Sequence, residues 1–155
     1  MSVQLVVFAL DADEYGIDVS AVNGILRSKK FKIQSIPGTS KGIEGMINLR
    51  GQVNYIFNLR KKFGLPEKEI SEESKFIMLN NNQSTTGCIV DEVTDIIRLD
   101  DENVQATPDF VSGCNTRYIS GIGKLDDRMI IILDPDRILS NEEQDTPGNS
   151  FLASE

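Results

Sequence analysis

Apolar and polar positions alternate along much of this chain with the period of a strand, and the breaks in that alternation mark its turns. Leu5 to Leu10 is a continuous apolar run closed by Asp11-Ala12-Asp13-Glu14, the pattern of a strand covered on both faces and ended by a turn. Tyr15 to Asp18 returns as its hairpin partner. Beyond it Ser20 is placed to cap one helical turn through Ala21, Val22 and Asn23, with Gly24 ending the turn and Ile25-Leu26-Arg27 leaving extended. The strongest pattern lies between Gly45 and Arg60. Apolar residues run up to an Asn48-Leu49-Arg50-Gly51 corner, after which Val53, Tyr55 and Phe57 alternate with Gln52, Asn54 and Asn58. Arg50 therefore sits at a strand corner beside a glycine free to take a positive φ. Two readings of it stay open, a contact to a partner and an internal role that closes an ion pair or caps nearby carbonyls.

Downstream, Asn58 caps a short helix through Leu59 to Phe63, with cations in its last turn and Gly64 as its stop. Pro66 to Ser74 is a polar connection and the best internal seam. Phe76 to Leu79 and Gly87 to Val90 read as strands joined across Asn80 to Gln83, Asp91 to Ile97 as another strand, and Leu99 to Gln105 as an acidic loop. Gly113 to Arg117 is irregular. Tyr118 to Gly123 and Arg128 to Leu133 form a hairpin, with Met129 to Leu133 the second deep core strand. Asp134 caps a helix that starts at Pro135 and runs to about Leu139. About nine or ten short strands with three brief helices predict an all-β sandwich or paired small barrels. Lys29, Lys30 and Lys32 fit a solvated edge strand guarded by lysines, or at most the rim of a site. Residues 141–155 are polar and acidic and predict a flexible tail.

Length and charge narrow the class. At 155 residues the chain can bury a core without staples. Sixteen Lys and Arg against twenty-four Asp and Glu give a net charge of -8, which argues against nucleic acid or an anionic membrane and for protein partners. The apolar run near the N-terminus has no basic flank and is too short to span a bilayer, so no membrane insertion is expected and the protein reads as soluble and cytoplasmic.

The chain has no histidine, which excludes Ser-His-Asp and Cys-His catalysis and leaves Cys88 and Cys114 without the ligand set of a zinc site. Gly121-Ile122-Gly123-Lys124 lacks the spacing and the following Ser or Thr of a phosphate loop. Asp11 to Val22 imitates a calcium loop, but Tyr15 and Val22 stand where oxygen ligands belong. Asp126-Asp127 and Asp100-Asp101-Glu102 could supply paired carboxylates, yet both lie at exposed turns. A binding module remains, with apolar contacts for affinity and Arg50 for orientation.

Taken in order, Glu14-Tyr15-Gly16-Ile17-Asp18 with Val22 and Ile25, Gly45 to Gly51 followed by Asn58-Leu59-Arg60, Val90-Asp91-Glu92-Val93, and Gly121-Ile122-Gly123 with Asp127-Arg128-Met129 form a specific set. In these the chain closely resembles the CheW-type chemotaxis coupling proteins over residues 4 to 140. The resemblance implies two SH3-like five-stranded β-barrels packed across a shared core, with short helices and a C-terminal helix. They would form one domain over residues 1–140, with a seam near 66–74 and exchange of strands between the barrels allowed. It further implies a non-enzymatic adaptor without cofactor or metal, recruited to membrane-associated receptor arrays. The adaptor joins the cytoplasmic hairpin tip of methyl-accepting chemoreceptors to the regulatory domain of a CheA-type histidine kinase. Carried over by position, the receptor side comprises Val22, Ile25, Gly45, Asn48, Arg50 and Gly51, and the kinase side Ile89, Val90, Asp91, Glu92 and Val93. The chain departs from the family pattern at Tyr55 and Asn58, where Pro and Asp are frequent, and at Gly24, where Glu is common; the lost acid bears on receptor preference. The rival readings are a coupling scaffold of a pathway other than chemotaxis and a small hydrolase using Asp126 and Asp127.

Overall fold

The structure is a computed structural model and describes residues 1–38, 42–80, 85–107 and 118–139. The residues of the expected tail, the irregular stretch Gly113 to Arg117 and Cys114 lie outside these. Eleven strands are found among the described residues. They are β1 (Ser2–Leu10), β2 (Asp13–Asp18), β3 (Val22–Arg27), β4 (Ile43–Leu49), β5 (Gln52–Asn58), β6 (Lys75–Asn80), β7 (Thr85–Val90), β8 (Glu92–Asp100), β9 (Val104–Gln105), β10 (Ile119–Leu125) and β11 (Arg128–Leu133). Two short helices accompany them, α1 (Leu59–Lys62) and α2 (Pro135–Leu139). The strands form two curled sheets, one of six in the order β8-β1-β2-β11-β10-β9 and one of five in the order β3-β6-β7-β5-β4. The all-β, two-sheet expectation is met, with the two-residue β9 as the sixth strand of the larger sheet.

Alternation explains why the apolar runs are continuous. On β1, Leu5 and Val7 enter the core of the six-stranded sheet with Ile97, Leu99, Ile130 and Ile132. The intervening Val6, Phe8 and Leu10 face a core shared between the sheets, where they meet Ile77, Leu79, Cys88 and Val90. On β6, Phe76 and Met78 turn the other way, into the core of the five-stranded sheet with Ile47, Ile56 and Ile89. A strand that serves two cores has no polar face to show.

The chain passes between sheets at the 3-10 turn Val19–Ala21 and again at Asp91, so the N-terminal hairpin belongs with the C-terminal strands. The parallel pair β2–β11, with Tyr15 opposite Ile131, closes that exchange. The 66–74 connection instead joins β5 and α1 to β6 within one sheet.

Several local expectations need correction. The first helical turn is Val19–Ala21, capped by Asp18, whose Oδ1 accepts from the Ser20 N–H at 2.9 Å; Val22 already belongs to β3. The Asp18 carboxylate takes the capping role expected of the Ser20 hydroxyl because the turn starts two residues earlier. The lysine cluster is not an edge strand: Ser28–Lys30 is a 3-10 turn, and a single bridge, Gln34 to Met46, ties the following segment to β4. The acidic loop is strand to Asp100, a 3-10 turn Asp101–Asn103 and β9. Met129 is 69% exposed, so the deep part of β11 starts at Ile130.

Candidate functional site

The β4–β5 hairpin closes with Leu49 opposite Gln52, leaving a two-residue loop of Arg50 and Gly51. Both take positive φ, 55° and 82°, as a type I′ turn requires. Gly51 does so freely; Arg50 is held there by the hairpin and by Asn48, whose Oδ1 accepts from the Gly51 N–H at 2.9 Å. Arg50 is exposed, and among the described residues its guanidinium has no hydrogen-bond or ion-pair partner. The internal ion-pair reading of Arg50 has no counterpart among these residues.

An open groove flanks each side of this corner. One, of about 490 Å³, runs between Ile25 on β3 and Arg50, with Gly24 on its wall and Met78 in its lining. The other, of about 430 Å³, is lined by Lys32, Asn48, Gly51 and Val53 among others. A Cβ at Gly24 would meet nothing within 4 Å, so the absence of a side chain there keeps the first groove open. Ile25, Val53 and Tyr55 are 39%, 55% and 42% exposed, which gives the corner an apolar surround.

Of the residues expected on the receptor side, Ile25, Asn48, Arg50 and Gly51 thus meet around the corner. Val22 is half-buried and packs on the shared core. Gly45 is buried beneath the Gln34 crossing, where Gln34 and Met46 exchange two 2.9 Å backbone hydrogen bonds and a Cβ on Gly45 would collide with the Gln34 carbonyl oxygen. Its role is to allow that crossing.

The kinase-side residues do not share one surface. Ile89 packs inside the five-stranded sheet, Val90 in the shared core, and Val93 half-buried against it. Asp91 is buried in an ion cluster, and Glu92 alone of the five is exposed. The cluster centres on Arg60, which donates from Nη1 to Asp91 Oδ2 at 2.7 Å, from Nη2 to Asp11 Oδ1 at 3.0 Å, and from Nε to the Pro66 carbonyl at 2.7 Å. The Asp11 N–H donates to Asp91 Oδ2 at 2.8 Å, so the β1–β2 turn, α1 and the β7–β8 junction are tied together. The sequence reading placed Arg60 among the cations of the short helix; its partners lie 31 and 49 residues away, and no local pattern points to them.

A second network joins Arg128 to both oxygens of Glu14 at 2.9 Å and both oxygens of Asp95 at 3.0 Å, linking β11, β2 and β8. Hydrogen bonds from Arg128 hold the Asp95 carboxyl below the usual carboxylate range, against a smaller opposing push from burial. The rival carboxylates Asp126 and Asp127 form the exposed β10–β11 turn.

On the two-sheet frame the corner places Arg50, exposed and without an ion-pair partner among the described residues, between two grooves. The CheW-like domain model matches residues 4–143. The chain belongs to the CheW-like family. The chemotaxis protein CheW of Klebsiella aerogenes is 35% identical over 140 residues, covering 90% of this chain and 83% of that protein. That of Bacillus subtilis is 34% identical, covering 90% and 88%. The crystal structure of the scaffolding protein TtCheW from Thermoanaerobacter tengcongensis superposes with a TM-score of 0.79 at 35% identity, over 86% of this chain and 90% of that one. CheW-like proteins are scaffolding adaptors, and this chain is a chemotaxis coupling protein. No helix among its described residues is long and apolar enough to cross a membrane.

Proposed function

We propose that the protein couples chemoreceptors to a CheA-type histidine kinase by holding both, and that the receptor's cytoplasmic hairpin tip docks on the β4–β5 corner. The observation that carries this reading is Arg50, set on a type I′ corner beside a groove of about 490 Å³ and without an ion-pair partner among the described residues. Ile25 and the groove supply apolar contact, Asn48 braces the corner, and Gly51 lets it turn. Val22 and Gly45 act beneath this surface as supports.

For the kinase's regulatory domain, the accessible part of the expected segment is the start of β8, with Glu92 as its exposed side chain and Val93 beside it. Ile89, Val90 and Asp91 serve there as backing. Held in this way, the protein works at membrane-associated receptor arrays and transmits no chemistry of its own. It shifts the kinase equilibrium by the difference in its affinity for two receptor states, and coupling energies of about 1–3 kcal/mol suffice.

The test is calorimetric titration of the wild type, Arg50→Ala and Glu92→Lys with a receptor cytoplasmic fragment and, separately, with the kinase regulatory domain. Arg50→Ala should weaken receptor binding by at least about tenfold, roughly 1.4 kcal/mol, while leaving kinase binding and the melting temperature unchanged. Glu92→Lys should do the reverse. Unchanged receptor affinity in Arg50→Ala would remove the corner from the receptor site.

A further inference from the structure

Charge is divided unevenly along this acidic chain. Residues 19–66 hold nine Lys and Arg against one acid, Glu44, a net of +8, whereas the rest holds seven against twenty-three, a net of -16. Within the basic segment, Arg60 and Lys61 are neutralised by Asp91, Asp11 and Glu44, and Lys62 lies over the rings of Phe57 and Tyr118. Arg27, Lys29, Lys30, Lys32 and Arg50 are all exposed, and among the described residues none has an ion-pair partner.

Guarding a sheet edge does not account for the lysines, because Lys29 and Lys30 lie on a 3-10 turn and Lys32 follows it. The Gln34–Met46 bridge ties their segment to β4, and Lys32 lines the same groove as Asn48, Gly51 and Val53. With Arg50 lining the groove on the other side, cations flank the corner on both sides. At physiological salt the Debye length is about 8 Å, so nearby charges set the local field; Glu44, the acid that lines a cavity with Lys29, is itself paired with Lys61. The exposed Ile25 and Val53 among the cations fit a protein surface that carries both carboxylates and apolar side chains.

We propose that this basic strip extends the corner site and selects, among chemoreceptors, those whose docking hairpin is acidic. The proposal rests on the receptor reading of the corner and adds the chemistry of the partner. Charge complementarity of this kind sets partner choice and encounter rate more than the contact area does.

The test uses the full chain, its Lys29→Gln/Lys30→Gln/Lys32→Gln variant and Arg50→Ala. Each is titrated, at low and high salt, with the cytoplasmic hairpin fragment of an acidic-tipped chemoreceptor. A second fragment has its tip Asp and Glu residues changed to Asn and Gln. The triple variant should bind the acidic fragment about tenfold more weakly at low salt, converge on the wild type at high salt, and show a shallower salt dependence. With the neutralised fragment it should match the wild type throughout. Equal binding by the triple variant and the wild type at low salt, with Arg50→Ala still impaired, would overturn the strip and leave the corner standing. Full binding by Arg50→Ala, or no binding by the wild type, would overturn the corner reading and the strip with it. The substituted lysines are exposed, so an unchanged melting temperature verifies that folding is intact.

Discussion

Replacing Arg60 with Met should destabilise the protein more than any change at the exposed corner. The substitution removes a 2.7 Å bond to Asp91, a 3.0 Å bond to Asp11 and a 2.7 Å bond to the Pro66 carbonyl. Asp91, with a side chain only 9% exposed, would keep the Asp11 N–H at 2.8 Å and Lys68 Nζ at 3.5 Å. Stripping one partner from a buried ion pair costs about 3–5 kcal/mol, most of it the penalty of an uncompensated buried charge. Lys68 and the apolar bulk of Met recover part of this, so a loss of about 3 kcal/mol is expected. For a chain of this size that is a drop in melting temperature of roughly 6–12 °C. Urea and thermal unfolding followed by circular dichroism would measure it. Adding Asp91→Leu should restore at least half of the loss, because it removes the orphaned charge instead of a second attraction. A loss below about 1 kcal/mol, or a double variant no more stable than Arg60→Met alone, would refute the cluster as the tie between the two sheets.

Gly45→Ala should lose about 2 kcal/mol or more in urea unfolding, since its Cβ collides with the Gln34 carbonyl oxygen and the Ile33 side chain, neither of which is free to yield; a neutral result would mean the crossing is loose. Asp95→Asn should cost less than about 1 kcal/mol at neutral pH because the pair is partly exposed. The folded carboxyl titrates below its ordinary value, so its contribution is present above the ordinary value and is lost as pH falls through the folded one. The gap between the wild type and Asp95→Asn should therefore narrow below about pH 4, and a gap undiminished at lower pH would contradict the Arg128 bond. Burial pushes the Cys88 thiol up to about 12, against a weaker pull from Lys62, so iodoacetamide should label it at pH 8 only in denaturant. Peptide mass spectrometry separates it from Cys114, and rapid labelling of native Cys88 would show that the shared core opens.

Local rules determined the elements of this protein. The double-faced apolar runs at Leu5 to Leu10 and Phe76 to Leu79, the Asn58 and Asp134 caps and the Arg50-Gly51 corner follow from periodicity and turn chemistry, because their causes lie within a few residues. Arg50 is legible for the same reason. Its conformation comes from a two-residue loop, and its exposure from the alternation of the strands on either side. The motif resemblance named the family, since ordered short motifs survive where overall identity is modest.

Only the tertiary structure decided which strands pair and which polar residues are interior. Whether β2 runs beside β11 depends on contacts more than 100 residues apart, for which the chain carries no local signal. Ile89 to Val93 reads as a continuous contact segment in sequence, but strand alternation at the junction of two sheets sends Ile89 and Val90 into different cores and closes Asp91 on Arg60. The lysines of the 29–32 segment look like edge protection until the backbone is seen to leave the strand before them. In each case the deciding quantity is the desolvation of a side chain by residues distant in sequence, and that is set by the packing of two curled sheets, not by the chain's local preferences.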